Sequence, residues 1–362
     1  MEKIFLVLFC LASHSMATGC SNSKGGIAVS TTTENTNVTL STESGDLVND
    51  KVVTLDASLP AASSESFIRP EDCEGGATSV RSAFKTLVLQ LWSGNTTNVL
   101  TEATALNYDL VLYTDTAGGN ISYYLLTEKA ANAKGQGFYI FNPSGTRNLI
   151  LEAPHPLYDT DSDLVAARVL RETSAKALFV AGTHRCADSE ASTCSGTTTV
   201  CGSDEAFRIS DPAHFICNFF EAAHEAINDA SDPPTFLQIH GFTQSSTEPD
   251  AILSDGVSHT ASQSDVVLQL MSNLNTQLAT KSGGDGVASC QSSTSPSTQL
   301  CATDNVQGRY TNGSQTDPCT AAATTANERF ISLELSYDLR HDTSTSGDVG
   351  PEDLISAIVA TF

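Results

Sequence analysis

The chain has 362 residues, 40% of them hydrophobic, which is ample for a sizeable core, and it carries a formal net charge of -24 at pH 7. That charge argues against nucleic acid or an anionic membrane surface as a partner. It suits an exported protein instead.

The N-terminus agrees. Lys3 precedes an apolar run over 4–12 that is too short to cross a bilayer and is built like the core of a signal peptide. Residues 1–19 are therefore set apart from the fold. Met16-Ala17-Thr18-Gly19-Cys20 resembles a bacterial lipobox, with Ala17 where leucine is usual. It implies a lipid on Cys20 as the one link to a membrane, and hence a cell-envelope lipoprotein at the outer membrane or cell surface. Plain secretion follows if Cys20 stays unmodified. With Cys10 and Cys20 set aside, eight of the ten cysteines are left, an even number that suits an oxidising compartment and up to four disulfides. Cys186, Cys194 and Cys201 lack the paired C-x-x-C spacing of a zinc ribbon, which favours loop staples over metal ligation.

Residues 20–66 are rich in Ser, Thr, Asn and Gly and read as a disordered tether, with one short strand near 52–55. An N-terminal portion, 67–147, follows. Val80, Phe84, Leu87, Val88 and Leu91 recur at helical spacing and predict a helix over 77–92, and strands are expected at 110–113, 121–126 and 137–141. From 148 to 362 strands and helices alternate. Strands are expected at 148–153, 177–181, 235–239, 251–253 and 329–337, and helices at 161–173, from Ser210 or Asp211 to 228, at 264–280 and at 351–362. The Ser/Gly/Thr-rich stretch 281–325 reads as surface loops. This order predicts an α/β fold with a mostly parallel mixed sheet flanked by helices, an N-terminal helix-plus-strands portion and disulfide-stapled loop insertions.

Four strand ends meet at one edge of such a sheet. The first carries Pro154-His155-Pro156 with Asp159, Asp161 and Asp163; the second Thr183-His184-Arg185; the third His240-Gly241. The fourth holds Glu334 inside Phe330-Ile331-Ser332-Leu333-Glu334-Leu335, where an unpaired carboxylate costs several kcal/mol. Glu334 therefore needs a cation, an activated water or a proton, and Arg340 is a salt-bridge option. A histidine at a strand end is more often a hydrogen-bonded structural residue than a ligand, and that plain reading holds for His184. His214 reads as a solvated helix start and His224 as structural or exposed. No Gly-x-Ser-x-Gly elbow, P-loop or Gly-x-Gly-x-x-Gly occurs.

A His-plus-carboxylate loop after the domain's first strand, a second His at a later strand end, and a Phe-x-x-x-Glu-Leu strand together resemble the zinc carboxypeptidase superfamily. Its smaller relatives are the N-formylglutamate amidohydrolases and aspartoacylase-like deacylases. The resemblance covers about 148–340. The superfamily's first loop is His-x-x-Glu, whereas this chain has His155-Pro-Leu-Tyr-Asp159, one position longer and with a shorter carboxylate. The third ligand thus stays open among Asp159, Asp161 and Asp163. The resemblance implies one Zn²⁺ held by His155, Asp159 (or Asp161) and His240, with Glu334 as general base. Arg185 would pair with a substrate carboxylate or stabilise an oxyanion, and His184 would sit beside substrate or orient a ligand. The activity implied is hydrolysis of an amide bond in a small acylated amino acid, peptide or cell-wall fragment. Two alternatives stand: a phosphoesterase, which needs two metals about 3.5–4 Å apart, and a surface binding lipoprotein without catalysis.

Overall fold

The computed structural model describes residues 40–60, 67–71, 73, 79–258, 265–341 and 347–362. The signal-peptide and Cys20 expectations lie outside the described residues. In chain order, β1 (Ser41–Gly45) leads through a π-helical turn (Leu47–Val52) into α1 (Val53–Ala57). Then come α2 (Val80–Trp92), α3 (Val99–Ala105), β2 (Tyr108–Asp115), β3 (Ile121–Glu128) and β4 (Phe138–Phe141). The alternating part follows: β5 (Arg147–Ala153), α4 (Ser162–Thr173), β6 (Ala175–Val180), the two-residue strands β7 (Thr197–Thr198) and β8 (Glu205–Ala206), α5 (Phe219–Asn228) and β9 (Thr235–Gly241). The chain closes with β10 (Ala251–Ser254), α6 (Asp265–Leu278), β11 (Val287–Ser289), α7 (Val306–Thr311), β12 (Phe330–Leu335), α8 (Tyr337–Arg340) and α9 (Pro351–Thr361).

Ten strands form one sheet in the order β1-β2-β3-β4-β6-β5-β9-β12-β10-β11. Its centre, β6-β5-β9-β12, is parallel, and β2, β3 and β4 extend it as an antiparallel flank. Alternate side chains of β5 feed two cores. Leu149 and Leu151 pack with α4, α6 and α9, and Ile150 packs with α2, α3 and α5. From β5 the chain crosses to β6 on one side and later to β9 on the other. The crevice at the β5 and β9 C-termini is thus a topological switch point, where open α/β sheets place ligands.

Three segments depart from the sequence reading. The expected tether contains β1, which pairs in parallel with β2, and a π-helical turn whose Leu47, Val48 and Val52 are buried. Asp46 caps that turn by accepting from the Val48 and Asn49 N–H groups, and residues 53–57 form helix rather than the expected strand. The helix expected from Ser210 or Asp211 begins only at Phe219, with Asn218 as its cap. The stretch 281–325 holds β11 and α7 among its loops, and all six residues of α7 are buried.

The eight cysteines pair as Cys73–Cys217, Cys186–Cys201, Cys194–Cys319 and Cys290–Cys301. Four disulfides suit an extracellular, oxidising compartment. Among the described residues no helix is long and apolar enough to cross a membrane.

Candidate metal centre

After β5, Pro154 and Pro156 bracket His155, and the chain then closes a single helical turn in which the Asp159 N–H donates to the His155 carbonyl at 2.7 Å. An i,i+4 spacing puts both side chains on one face. At the end of β9, His240 comes alongside. Its Nδ1 lies 3.2 Å from His155 Nδ1, and Asp159 Oδ2 lies 3.4 Å from His155 Nδ1 and 3.5 Å from His240 Nδ1.

These separations test whether a metal fits. Zinc bonds of about 2.0–2.2 Å in a tetrahedron imply ligand atoms about 3.3–3.6 Å apart. The three atoms form such a face. Each ring's other nitrogen is held: His155 Nε2 donates to Asp211 Oδ1 at 2.8 Å and His240 Nε2 donates to Gln238 Oε1 at 2.8 Å. Both protons then sit on Nε2, and both Nδ1 lone pairs point at the same space. Two lone pairs and a carboxylate this close repel one another unless a cation lies between them. Asp159 is buried, which opposes its charge, yet its place beside His155 and His240 keeps its carboxyl below the usual range. The residues present therefore fit Zn²⁺.

Glu334 reaches the same place from β12, where it is the register partner of His240. Burial pushes its carboxyl up; His240 opposes that shift, Asp159 adds to it, and Arg185 and Arg340 oppose it. Among the described residues no hydrogen bond or ion pair ties Glu334 down, and the alternative of a salt bridge to Arg340 does not form. Arg340 donates instead to the Thr160 and Leu335 carbonyls. Glu334, Asp159, His240, Arg185 and Arg340 all line one cavity of about 630 Å³.

The other expected residues divide. Arg185 comes to the site, but Asp211 binds it through Nε at 3.0 Å and Nη2 at 2.6 Å, leaving Nη1 3.4 Å from His155 Nδ1. Asp161 turns away and accepts from His341 Nδ1 at 2.6 Å. Asp163 is buried in the first turn of α4, its carboxyl pushed up to about 8 by burial and by Asp56. His184 accepts from the Cys186 N–H at 3.0 Å, and burial with the nearby His155 and Arg185 lowers its pKa. His224 is fully buried between Glu152 and Thr311.

Two residues of the site escape the sequence reading. Asp211, taken there for a helix cap, accepts from His155, Arg185 and His214, and its carboxyl is held well below its usual range against the cost of burial, chiefly by Arg185. Gln238 stands two residues before His240 on the same strand face, a position that could have flagged it. Its own amide donates to Glu152 Oε2 at 3.0 Å, and Asn305 donates to its oxygen.

No protein-family model matches the chain, and no curated protein is detectably similar to it in sequence. Solved structures similar to it include a candidate carboxypeptidase A from Shewanella denitrificans OS-217, with 10% identity, a TM-score of 0.31, and coverage of 75% of this chain and 66% of that one. A metallo-carboxypeptidase from Burkholderia cenocepacia matches at 11% identity and a TM-score of 0.30, over 70% of this chain and 63% of that one. The succinylglutamate desuccinylase of Vibrio parahaemolyticus matches at 10% and 0.31, over 72% and 78%. The chain thus spans 62–66% of the length of the carboxypeptidase structures. The likeness is distant and loose. What the site can do rests on this chain's own residues.

Proposed function

We propose that the protein is an exported, zinc-dependent hydrolase that cleaves an amide bond in a small acylated amino acid, peptide or cell-wall fragment. The observation that carries this reading is the triangle of His155 Nδ1, His240 Nδ1 and Asp159 Oδ2, with edges of 3.2–3.5 Å and each imidazole fixed from behind. His155, Asp159 and His240 would hold Zn²⁺, which would supply Lewis acidity for the amide carbonyl and for a water whose pKa it would bring to about 7.

The remaining steps belong to the chain. Glu334 has an elevated pKa and, among the described residues, no hydrogen-bond or ion-pair partner, so it takes the proton of the attacking water and hands it to the departing amine. Arg185, clamped by Asp211, keeps its charge fixed beside the site and stabilises the negative charge that develops on the carbonyl oxygen. His184, which accepts from the Cys186 N–H and packs edge-on against Tyr158 of the cavity lining, sits beside substrate. A non-catalytic binding protein would not need a free carboxylate at the register position of His240.

A two-metal phosphoesterase finds its second ligand group in His155, Asp211 and His214. There Arg185 Nη2 already holds the Asp211 carboxylate at 2.6 Å, and a second cation would face that guanidinium. The one-metal amidase is favoured. Elemental analysis tests it: near one equivalent of zinc is expected, lost in His155→Ala and in His240→Ala. Glu334→Gln should keep the zinc and lose turnover of blocked peptides and N-acyl amino acids. A folded protein that takes up no zinc would overturn the reading. Attachment through a lipid on Cys20 is part of the proposal and is checked by mass spectrometry of the mature protein.

A further inference from the structure

Two disulfide-closed loops reach the cavity mouth, and each presents an apolar side chain one residue before a bridged cysteine. Val200 precedes Cys201 of the Cys186–Cys201 pair, and Leu300 precedes Cys301 of the Cys290–Cys301 pair. Both loops are braced. Arg208 donates to the carbonyls of both Cys186 and Cys201, and the Ser254 hydroxyl donates to the Cys301 carbonyl at 2.7 Å. Leu300 adopts φ 58 and Ala302 φ 53, left-handed conformations that side chains beyond glycine seldom take. A leucine held in that conformation against its backbone preference, and left exposed, gains nothing for folding. Strain of this kind gathers at ligand sites.

The exposed apolar surface points the same way. Tyr158, Leu300 and Tyr337 are 43%, 41% and 50% exposed, and all three line this cavity. Each tyrosine is braced by a neighbour: Tyr158 by the His184 ring at 5.6 Å, and Tyr337 by the His341 ring at 4.7 Å. Large apolar side chains grouped at one cleft mark a contact with an apolar ligand.

We propose that Val200, Leu300, Tyr158 and Tyr337 form a rigid apolar rim that selects substrates carrying a bulky aliphatic or aromatic group beside the scissile amide. This deepens the hydrolase reading and rests on it for the position of the scissile bond, while the binding preference stands on the rim alone. The two short-range disulfides are specificity elements: they fix where Leu300 and Val200 stand.

The test measures binding apart from turnover. Calorimetry of the metal-stripped full-length protein compares N-acetyl-Phe-Phe amide with N-acetyl-Gly-Gly amide. The apolar dipeptide should bind on the order of 10-fold or more tightly. Leu300→Gly removes the side chain at a position whose φ favours glycine, so the variant should fold with unchanged or raised stability and lose most of that preference. The Cys290→Ser/Cys301→Ser pair should lose part of it. Equal binding of the two dipeptides by the wild type, or a preference undiminished in a folded Leu300→Gly, overturns the rim. A wild type that binds the apolar dipeptide selectively but hydrolyses nothing when loaded with zinc would instead sink the hydrolase reading and leave the rim standing.

Discussion

Asp211→Asn gives the sharpest check on how the candidate metal centre is held. Asp211 is 1% exposed and accepts five contacts: His155 Nε2 at 2.8 Å, Arg185 Nε at 3.0 Å and Nη2 at 2.6 Å, His214 Nδ1 at 3.1 Å, and the Ala213 N–H at 3.2 Å. Asparagine has the same shape but replaces one accepting oxygen with a donating NH₂. If that NH₂ faces Arg185, donors meet donors and the buried guanidinium loses its counter-charge, a loss of about 3–5 kcal/mol. If it faces His155, Nε2 must become the acceptor and the ring proton moves to Nδ1, the atom turned toward His240 and Asp159. Zinc affinity should then fall about 10–100-fold. Either branch leaves a mark. Urea unfolding of the metal-stripped protein reads the first, and zinc competition against a chelator reads the second. A variant within about 1 kcal/mol of wild-type stability, with unchanged zinc affinity, would refute the role given to Asp211.

Two further outcomes are expected. Burial and the adjacent Glu225 push Glu221 from its ordinary 4.5 up to about 8, against the pull of His224, Arg81 and the Gln307 amide. Because the folded form keeps a proton that the unfolded chain has lost, this group makes stability decline as pH rises from 4.5 to about 8, with no further effect above that. Glu221→Gln should flatten that part of a stability-against-pH curve, and an unchanged slope would contradict the assignment. Among the disulfides, Cys194–Cys319 joins residues 125 apart and Cys186–Cys201 residues 15 apart. Replacing the first pair by serine should cost about 5 kcal/mol and the second about 3 kcal/mol by loop entropy, measured by chemical denaturation.

The central sheet was legible because its strands are short apolar runs that end in turn residues, a local pattern that survives in one sequence. His155, His240 and Glu334 stood out for the same reason, as polar groups at or inside such runs. What tertiary contacts decide did not show. β1, Ser-Thr-Glu-Ser-Gly, has no apolar residue and is a strand only because β2 offers it an edge. α7 lies in a stretch of loop-like composition, and its burial comes with contacts such as Gln307 to Glu221 and Gln238.

The misplaced start of α5 ties the two halves of the problem together. Ser210-Asp211-Pro212 has the form of a helix start, and as local chemistry that reading is sound. Asp211 does accept from the Ala213 N–H at 3.2 Å, but only a turn follows, its carboxylate is shared with His155, Arg185 and His214, and the chain runs on to Asn218, whose oxygen accepts from the Glu221 N–H at 2.7 Å. A strong local signal was overridden where the same side chain holds the His155 imidazole. A cap signal that opens a turn and no helix therefore points to a further demand on its carboxylate, and here that demand includes the imidazole of His155.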